Sequence, residues 1–564
     1  MISTIASIYN ILTTPKQYII PEYQRNYSWT RQQWDRLWND LISFIPHTKS
    51  NPPRDYFFGS IVRYNKNSFV PVSECWIIDG QQRITTMIIL LIALRDSSST
   101  PIPGLDNCII NHGGNVDLYN KLLPKKNDRA ELNDLIRGVT CSTCGRIKQA
   151  YDFFAEKIKS LPKQISPNDI FMSLGYLKIV DIEIQNEDPQ VIFETLNSTG
   201  KDLSPTDKIR NFIMMGLTQN DREKLLTDFW DKLDNAFSAI PSYEDEIDGF
   251  MWRYLVFKCK YKIKWENLYE EFRKYVSEQK QQGITIFNIC DDILEYAQYY
   301  IQFLDPQKCI TAEKEYFEDL LSLEQRTQYP FLLQLKENGA TLTDRCEILK
   351  LIVSYFVRRM FCGISGQGTN NLFIKLLSNI KKGNELNDFK NYFMHDATSQ
   401  QRFPSDIEFE NCWGTCELYR NNALYVLSKL EQKNSSYTIS ANKTITVEHI
   451  RPQTSYPPQW SVSVIDDAEI HHIGNLTLTA NNTELGNRSF SDKKSLPKTT
   501  SNNGSFIVGY NASPYTYLMR DVLSENQWTK QEMDNRAQRF WTGVLDPKTN
   551  KILGILPKDI WPSI

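Results

Sequence analysis

Apolar residues recur at helical spacing over Arg31–Phe44, where Trp34, Leu37, Trp38 and Leu41 share one face. Residues 4–13 read as a short helix, and Tyr18–Ile20 as a strand that stops at Pro21. Phe57–Tyr64 reads as a strand, with Gly59 marking a close approach. Cys75–Asp79 is a third strand, Gly80 a turn, and a helix starts at Gln81. The unbroken apolar run Met87–Leu94 predicts that this helix is buried on all sides. Residues 96–115, rich in Ser, Pro and Gly, predict a loop. From 216 to 430 the pattern is mostly helical. Ile293, Leu294, Ala297, Tyr300, Ile301 and Leu304 make one stripe, and Leu349–Phe361 is nearly all apolar before Arg358 and Arg359 interrupt it. The polar stretch Glu431–Lys443 predicts a linker or an exposed hairpin. Short strands and Asn-rich turns follow, and a helix over 527–543 carries Trp528, Arg536 and Trp541 back onto them.

A mostly helical, multidomain α+β chain is therefore expected. With 564 residues, and domains of roughly 100–200 residues, the divisions fall at 1–215 (α/β), 216–430 (helical) and 431–564 (short strands with helices). The net charge of −3 excludes a protein that binds nucleic acid by bulk charge alone, so any such contact must come from local patches. No apolar run approaches the about 18 residues of a membrane span. The start of the chain lacks a secretory pattern. Eleven scattered cysteines fit reduced thiols, with Cys141/Cys144 and Cys412/Cys416 as chance spacings. A cytoplasmic protein is the expectation.

Candidate chemistry concentrates at two places. Three of the six histidines fall between 449 and 472. Glu448-His449-Ile450-Arg451-Pro452 ends a strand, and Gly474-Asn475-Leu476-Thr477-Leu478 follows, then Asn481-Asn482, Asn487-Arg488 and Lys493-Lys494. Phosphodiester hydrolysis needs a base near neutral pH, which His supplies. It also calls for a hard divalent cation, Mg²⁺ or Mn²⁺, on oxygen ligands. His471 and His472 read as local structure rather than ligands. The second place is the strand-to-helix junction Asp79-Gly80-Gln81-Gln82-Arg83. Gly80 allows a tight turn into a helix N-terminus, whose free N–H groups favour an anion, and the planar fork of Arg83 suits a phosphate. Arg25 is a second candidate for that anion, and Glu194, Asn197 and Asp207 are candidates for orienting water or metal. No Gly-x-x-x-x-Gly-Lys-Ser/Thr loop is present.

The C-terminal run resembles the HNH (His-Me finger) nuclease motif and, more narrowly, the nuclease domain of GmrSD-type restriction enzymes. The resemblance implies a ββα-metal fold, with His449 as general base, Glu448 as metal ligand and Asn475 as the residue that orients strand pair and base. It implies Asn482, or Asn487, as the last metal ligand, and Arg488, Lys493 and Lys494 as phosphate contacts. The N-terminal motifs Tyr23-Gln24-Arg25-Asn26-Tyr27-Ser28-Trp29, Asp79–Arg83 and Asn197-Ser198-Thr199-Gly200-Lys201-Asp202-Leu203 are similar to the ParB-like domain of the same family. Nucleotide triphosphate would then sit at Arg25, Asp79, Gly80, Gln81, Gln82, Arg83, Glu194 and Asn197, with Asp79 and Arg83 taking part in its hydrolysis.

The function so implied is a modification-dependent DNA endonuclease of anti-phage defence (type IV restriction), regulated by NTP. Its partners would be modified phage DNA, a nucleotide and, as one option, a second copy of the chain. A ParB-like DNA-binding regulator with a degenerate nuclease, and an RNA-directed nuclease toxin, are the alternatives. The modification, the nucleotide, and nicking as against double-strand cutting stay open.

Overall fold

A computed structural model describes all residues except 1, 22, 23, 25, 49–53, 66–71, 113–117, 142, 143, 163, 185–203, 215, 216, 437–444, 455–459, 461–466, 497, 498, 501–505, 508, 546–548, 550 and 551. The chain is mostly helical with a mixed sheet near its N-terminus, an α+β architecture. It divides into two compact units, Met1–Lys232 with Phe272–Phe287, and Leu233–Glu271 with Asn288–Ile564. No helix among the described residues is long and apolar enough to cross a membrane. The eleven cysteines stand as free thiols.

The first unit is built on six strands: β1 (Ile2–Ser7), β2 (Lys16–Ile19), β3 (Tyr56–Asn65), β4 (Ser73–Asp79), β5 (Leu122–Leu123) and β6 (Leu177–Ile184), in the order β1-β6-β3-β4-β2-β5. β1 runs antiparallel to β6, and β3 antiparallel to β4; the other pairs are parallel. The helix expected over residues 4–13 forms only from Ile8 to Thr13, which is α1. Before it the β-branched residues Ile2, Thr4 and Ile5 pair with β6 instead, from Ile2↔Glu183 to Ser7↔Lys178. α2 (Arg31–Thr48) turns Trp34 and Trp38 onto Phe153 and Phe154 of a helix over Arg146–Lys159. α3 (Gln81–Ser97) is buried at every position from Ile84 to Leu94. An amphipathic pattern would be wrong for such a helix, because sheet and helices cover it all round.

The second unit is helical up to α4 (Ala423–Asn434); after it, among the described residues, come three two-stranded antiparallel pairs, the first of them β7 (Thr446–His449) with β8 (Leu476–Thr479). Two short helices follow, α5 (Asn482–Leu485) and α6 (Phe490–Ser495), then α7 (Thr516–Ser524) and α8 (Lys530–Thr542). The region expected as a linker starts as helix, since α4 runs to Asn434; residues 437–444 lie outside the described residues. Glu431, fully buried, accepts from the backbone N–H groups of Tyr517 (3.2 Å) and Leu518 (2.9 Å) in the first turn of α7, where a carboxylate complements the helix dipole. α8 docks on the strand pair through Arg536. Its buried guanidinium donates to the carbonyls of Gly474 (2.9 Å), Leu476 (2.8 Å) and Leu518 (2.9 Å).

Candidate active site

The register of the strand pair sets the site. Glu448 faces Thr477 and His449 faces Leu476 across the ladder. The chain then leaves β7 through Arg451, where Asn475 holds it. Asn475 Oδ1 accepts from the Arg451 backbone N–H (2.8 Å) and from Trp528 Nε1 (3.1 Å), and its Nδ2 donates to the carbonyls of Arg451 (3.0 Å) and Ile470 (2.9 Å). All four bonds are buried, so this side chain fixes the path of the backbone beside His449. The preceding glycine is required by α8: a Cβ at Gly474 would run into the Met533 carbonyl and the His472 ring.

His449 is buried (7 % exposed). Its Nε2 lies 3.0 Å from His471 Nδ1, and its Nδ1 lies 3.4 Å from Nε2 of the exposed Gln453. Burial first, then His471 and Lys493, push its pKa down to about 3, so the imidazole is neutral near pH 7 and a weaker base than a free imidazole. His471 thus belongs to the surroundings of His449 and is more than local structure. His472 does shape the local chain: its Nδ1 accepts from the Gly474 N–H at 3.1 Å, and burial lowers its pKa to about 4.

Glu448 is held from inside. The Lys493 ammonium donates to Glu448 Oε1 at 2.5 Å and to the carbonyls of His449 (2.9 Å) and Ile450 (3.2 Å), and the Tyr510 hydroxyl donates to the same carboxylate oxygen at 3.2 Å. Burial outweighs the attraction of the pair, raising the pKa of Glu448 and lowering that of Lys493. Lys493, expected at a phosphate, has no exposed surface; it faces the core because α6 carries it beneath β7. Lys494 Nζ donates to the carbonyls of Leu523 (2.9 Å) and Glu525 (2.7 Å). Arg488 is exposed, with Nε on the Glu484 carbonyl (2.8 Å). Asn482 Nδ2 donates to the Val447 carbonyl at 3.1 Å, which ties α5 to β7, whereas Asn487 is exposed. Among the described residues no group of three or more His, Cys, Asp and Glu side chains is placed to hold a metal ion. With the Glu448 carboxylate already neutralised by an ammonium, the donor set Glu448, Asn482 and Asn487 does not fit a divalent cation in this arrangement.

In the first unit the Asp79–Arg83 motif lies where expected, at the junction of β4 and α3. Gly80 takes φ +90°, and a Cβ there would press on Ile61 and on the Ser60 carbonyl. Arg83 packs along Gly59, which leaves room for its guanidinium, and Nη1 donates to the Ser60 carbonyl (3.0 Å). Gln81 and Asp79 are half-buried at this junction. Gln82 turns inward: its Oε1 accepts from the Ser28 N–H (2.9 Å) and its Nε2 donates to the Asn26 carbonyl (3.2 Å). Gln24 Nε2 donates to the carbonyls of Ile77 (2.7 Å) and Ile78 (3.0 Å) at the end of β4. The first two N-terminal motifs therefore meet, with Gln82 as a fastener between them. Arg25, Glu194 and Asn197 lie outside the described residues. The sequence pattern carries no signal for Tyr419 or Gln453 around His449, because contacts made by loops have no period; for His471 the signal is the clustering of three histidines between 449 and 472.

A comparison with curated proteins gave no match. Two family models do match: the N-terminal domain of the GmrSD restriction endonuclease over residues 8–214, and the C-terminal domain of GmrSD restriction endonucleases over residues 403–542. These spans take in the Asp79–Arg83 junction and the strand pair with His449, in that order and covering more than half of the sequence, and the chain belongs to the GmrSD restriction endonuclease family.

Proposed function

We propose that this protein is a modification-dependent DNA endonuclease acting against phage DNA, with its nuclease centre at β7–β8 and a nucleotide-responsive centre at Asp79–Arg83. The observation that carries the reading is His449, a neutral imidazole at the end of β7, set beside a turn pinned by Asn475. In hydrolysis His449 takes a proton from water, the water oxygen bonds to phosphorus, and the P–O bond to the sugar breaks with its electron pair leaving as an alkoxide that is then protonated. The order strand, strand, short helix supports an HNH-type ββα reading. Mg²⁺ or Mn²⁺ belongs to the proposal as the cation that supports such hydrolysis; the pairing of Glu448 with Lys493 is the observation against it, and it equally favours the second reading, a DNA-binding regulator whose nuclease is degenerate. For the N-terminal domain, a ParB-like unit that binds and hydrolyses NTP is supported by the helix N-terminus after Gly80 and by the Arg83 fork.

The test is cleavage of matched modified and unmodified phage DNA, with Mg²⁺ or Mn²⁺, with and without NTPs, by wild type and His449→Ala. Cutting of the modified DNA alone, abolished in the variant, is the expected result. No cutting by wild type under any of these conditions overturns the DNA-nuclease reading in favour of the regulator or the RNA-directed nuclease.

A further inference from the structure

His449 has a neighbour on each ring nitrogen, and the two together fix where its proton sits. Gln453 approaches Nδ1 with its amide nitrogen at 3.4 Å. An amide nitrogen only donates, so with that end of Gln453 turned to the ring, Nδ1 of His449 is the accepting nitrogen and Nε2 the protonated one. That proton points at His471 Nδ1, 3.0 Å away, which must accept, placing the proton of His471 on its own Nε2. The opposite direction would put a proton on His449 Nδ1, facing the N–H of Gln453. Tyr419, from a segment ahead of the strand pair, braces the arrangement. Its ring lies 4.2 Å from that of His449 and stacks on that of His471 at 5.4 Å and 15°, and its backbone N–H donates to the His471 carbonyl at 3.1 Å.

We infer that His471 is a positioning residue that holds His449 in the Nε2-protonated tautomer, leaving Nδ1 as the nitrogen that receives the proton of the attacking water. The inference rests on the proposed nuclease role of His449. Gln453, exposed and weakly held, occupies the place of that water and gives way to it. As the O–H bond of water breaks, the proton forms an N–H bond at Nδ1, the water oxygen bonds to phosphorus, and the imidazolium keeps its Nε2–H on the lone pair of His471. A ring freed to flip or to change tautomer would present an N–H to water for part of the time, which lowers turnover rather than DNA binding.

The experiment uses the full chain labelled with ¹⁵N in its imidazole rings, with His449→Gln serving to assign the His449 signals, alongside kcat and KM for DNA cleavage. Wild type is expected to show His449 protonated at Nε2 and bare at Nδ1. His471→Phe should give a mixture of tautomers and a kcat lowered about 10- to 100-fold, with KM within about twofold. His471→Asn, whose Oδ1 replaces the accepting nitrogen, should recover most of both. A wild-type His449 protonated at Nδ1 overturns the inference, as does a His471→Phe chain with tautomer and kcat unchanged. Should His471→Phe fail to fold, the wild-type spectrum and His471→Asn carry the same test. The expected tautomer in a wild-type chain that cuts no DNA upholds the positioning and overturns the DNA-nuclease reading alone.

Discussion

The Lys493 ammonium sits 2.5 Å from Glu448 Oε1, with the lysine fully shielded from solvent and the glutamate 3 % exposed. Two opposite charges buried at that distance depend on each other, since either alone would be an unpaired ion in the core. Lys493→Met is expected to destabilise the protein by about 3–5 kcal/mol, and Glu448→Gln with Lys493→Met to recover about 2 kcal/mol of that loss. Urea unfolding of the two single variants and the double variant measures the coupling. A single variant costing less than about 1 kcal/mol would show that water reaches the pair.

Gly474 presses against the backbone of Met533, which cannot move without shifting α8. Gly474→Ala should therefore cost about 3 kcal/mol or more by overpacking. It should also detach Arg536 from the Gly474 and Leu476 carbonyls. Hydrogen exchange is the direct readout: faster exchange confined to β8 and α8 is expected, and protection equal to wild type would contradict the packing argument.

What the sequence discloses follows from how local each signal is. The strand–Gly–helix junction at 79–83 and the apolar run of α3 are set by neighbouring residues, and both stand where the pattern places them. β6 alternates over Val180-Asp181-Ile182-Glu183-Ile184, but its partners β1 and β3 lie far earlier in the chain, and nothing near it in sequence reports that pairing. Lys493 shows the other limit. A lysine in a basic pair reads as a surface charge, and only the tertiary placement of α6 beneath β7 turns it inward to Glu448. His471, likewise, lies 22 residues from its partner His449, and the clustering of histidines alone does not report the contact.

His472 should leave a mark on the pH dependence of stability. Its folded pKa is depressed to about 4 from an ordinary 6.5, with burial as the leading cause. Between those values the unfolded chain binds the proton and the folded chain does not. Stability is thus held above pH 6.5 and lost as pH falls toward 4, by about 1.4 kcal/mol per pH unit for this one group. His472→Asn, which keeps an acceptor for the Gly474 N–H, should flatten that slope by about one proton. Denaturant midpoints at several pH values from 7 to 4 check it, and an unchanged slope would mean that His472 is charged in the folded protein.

Neighbouring residues Gln82 and Arg83 should separate into structural and ligand-binding parts. Gln82 spends both ends of its amide on the segment at Asn26–Ser28. Gln82→Ala leaves two backbone groups unsatisfied there and should cost about 2 kcal/mol, with faster proteolysis near residue 28. Arg83 donates to the Ser60 carbonyl and is only half-buried. Arg83→Ala should cost under about 1.5 kcal/mol, while a nucleotide triphosphate loses about tenfold or more in affinity, because the lost group is a cation that would meet phosphate directly. Calorimetric titration with each NTP, run beside thermal unfolding of both variants, makes the distinction. Equal nucleotide affinity in wild type and Arg83→Ala would remove the junction from the nucleotide site, whatever the stability data show.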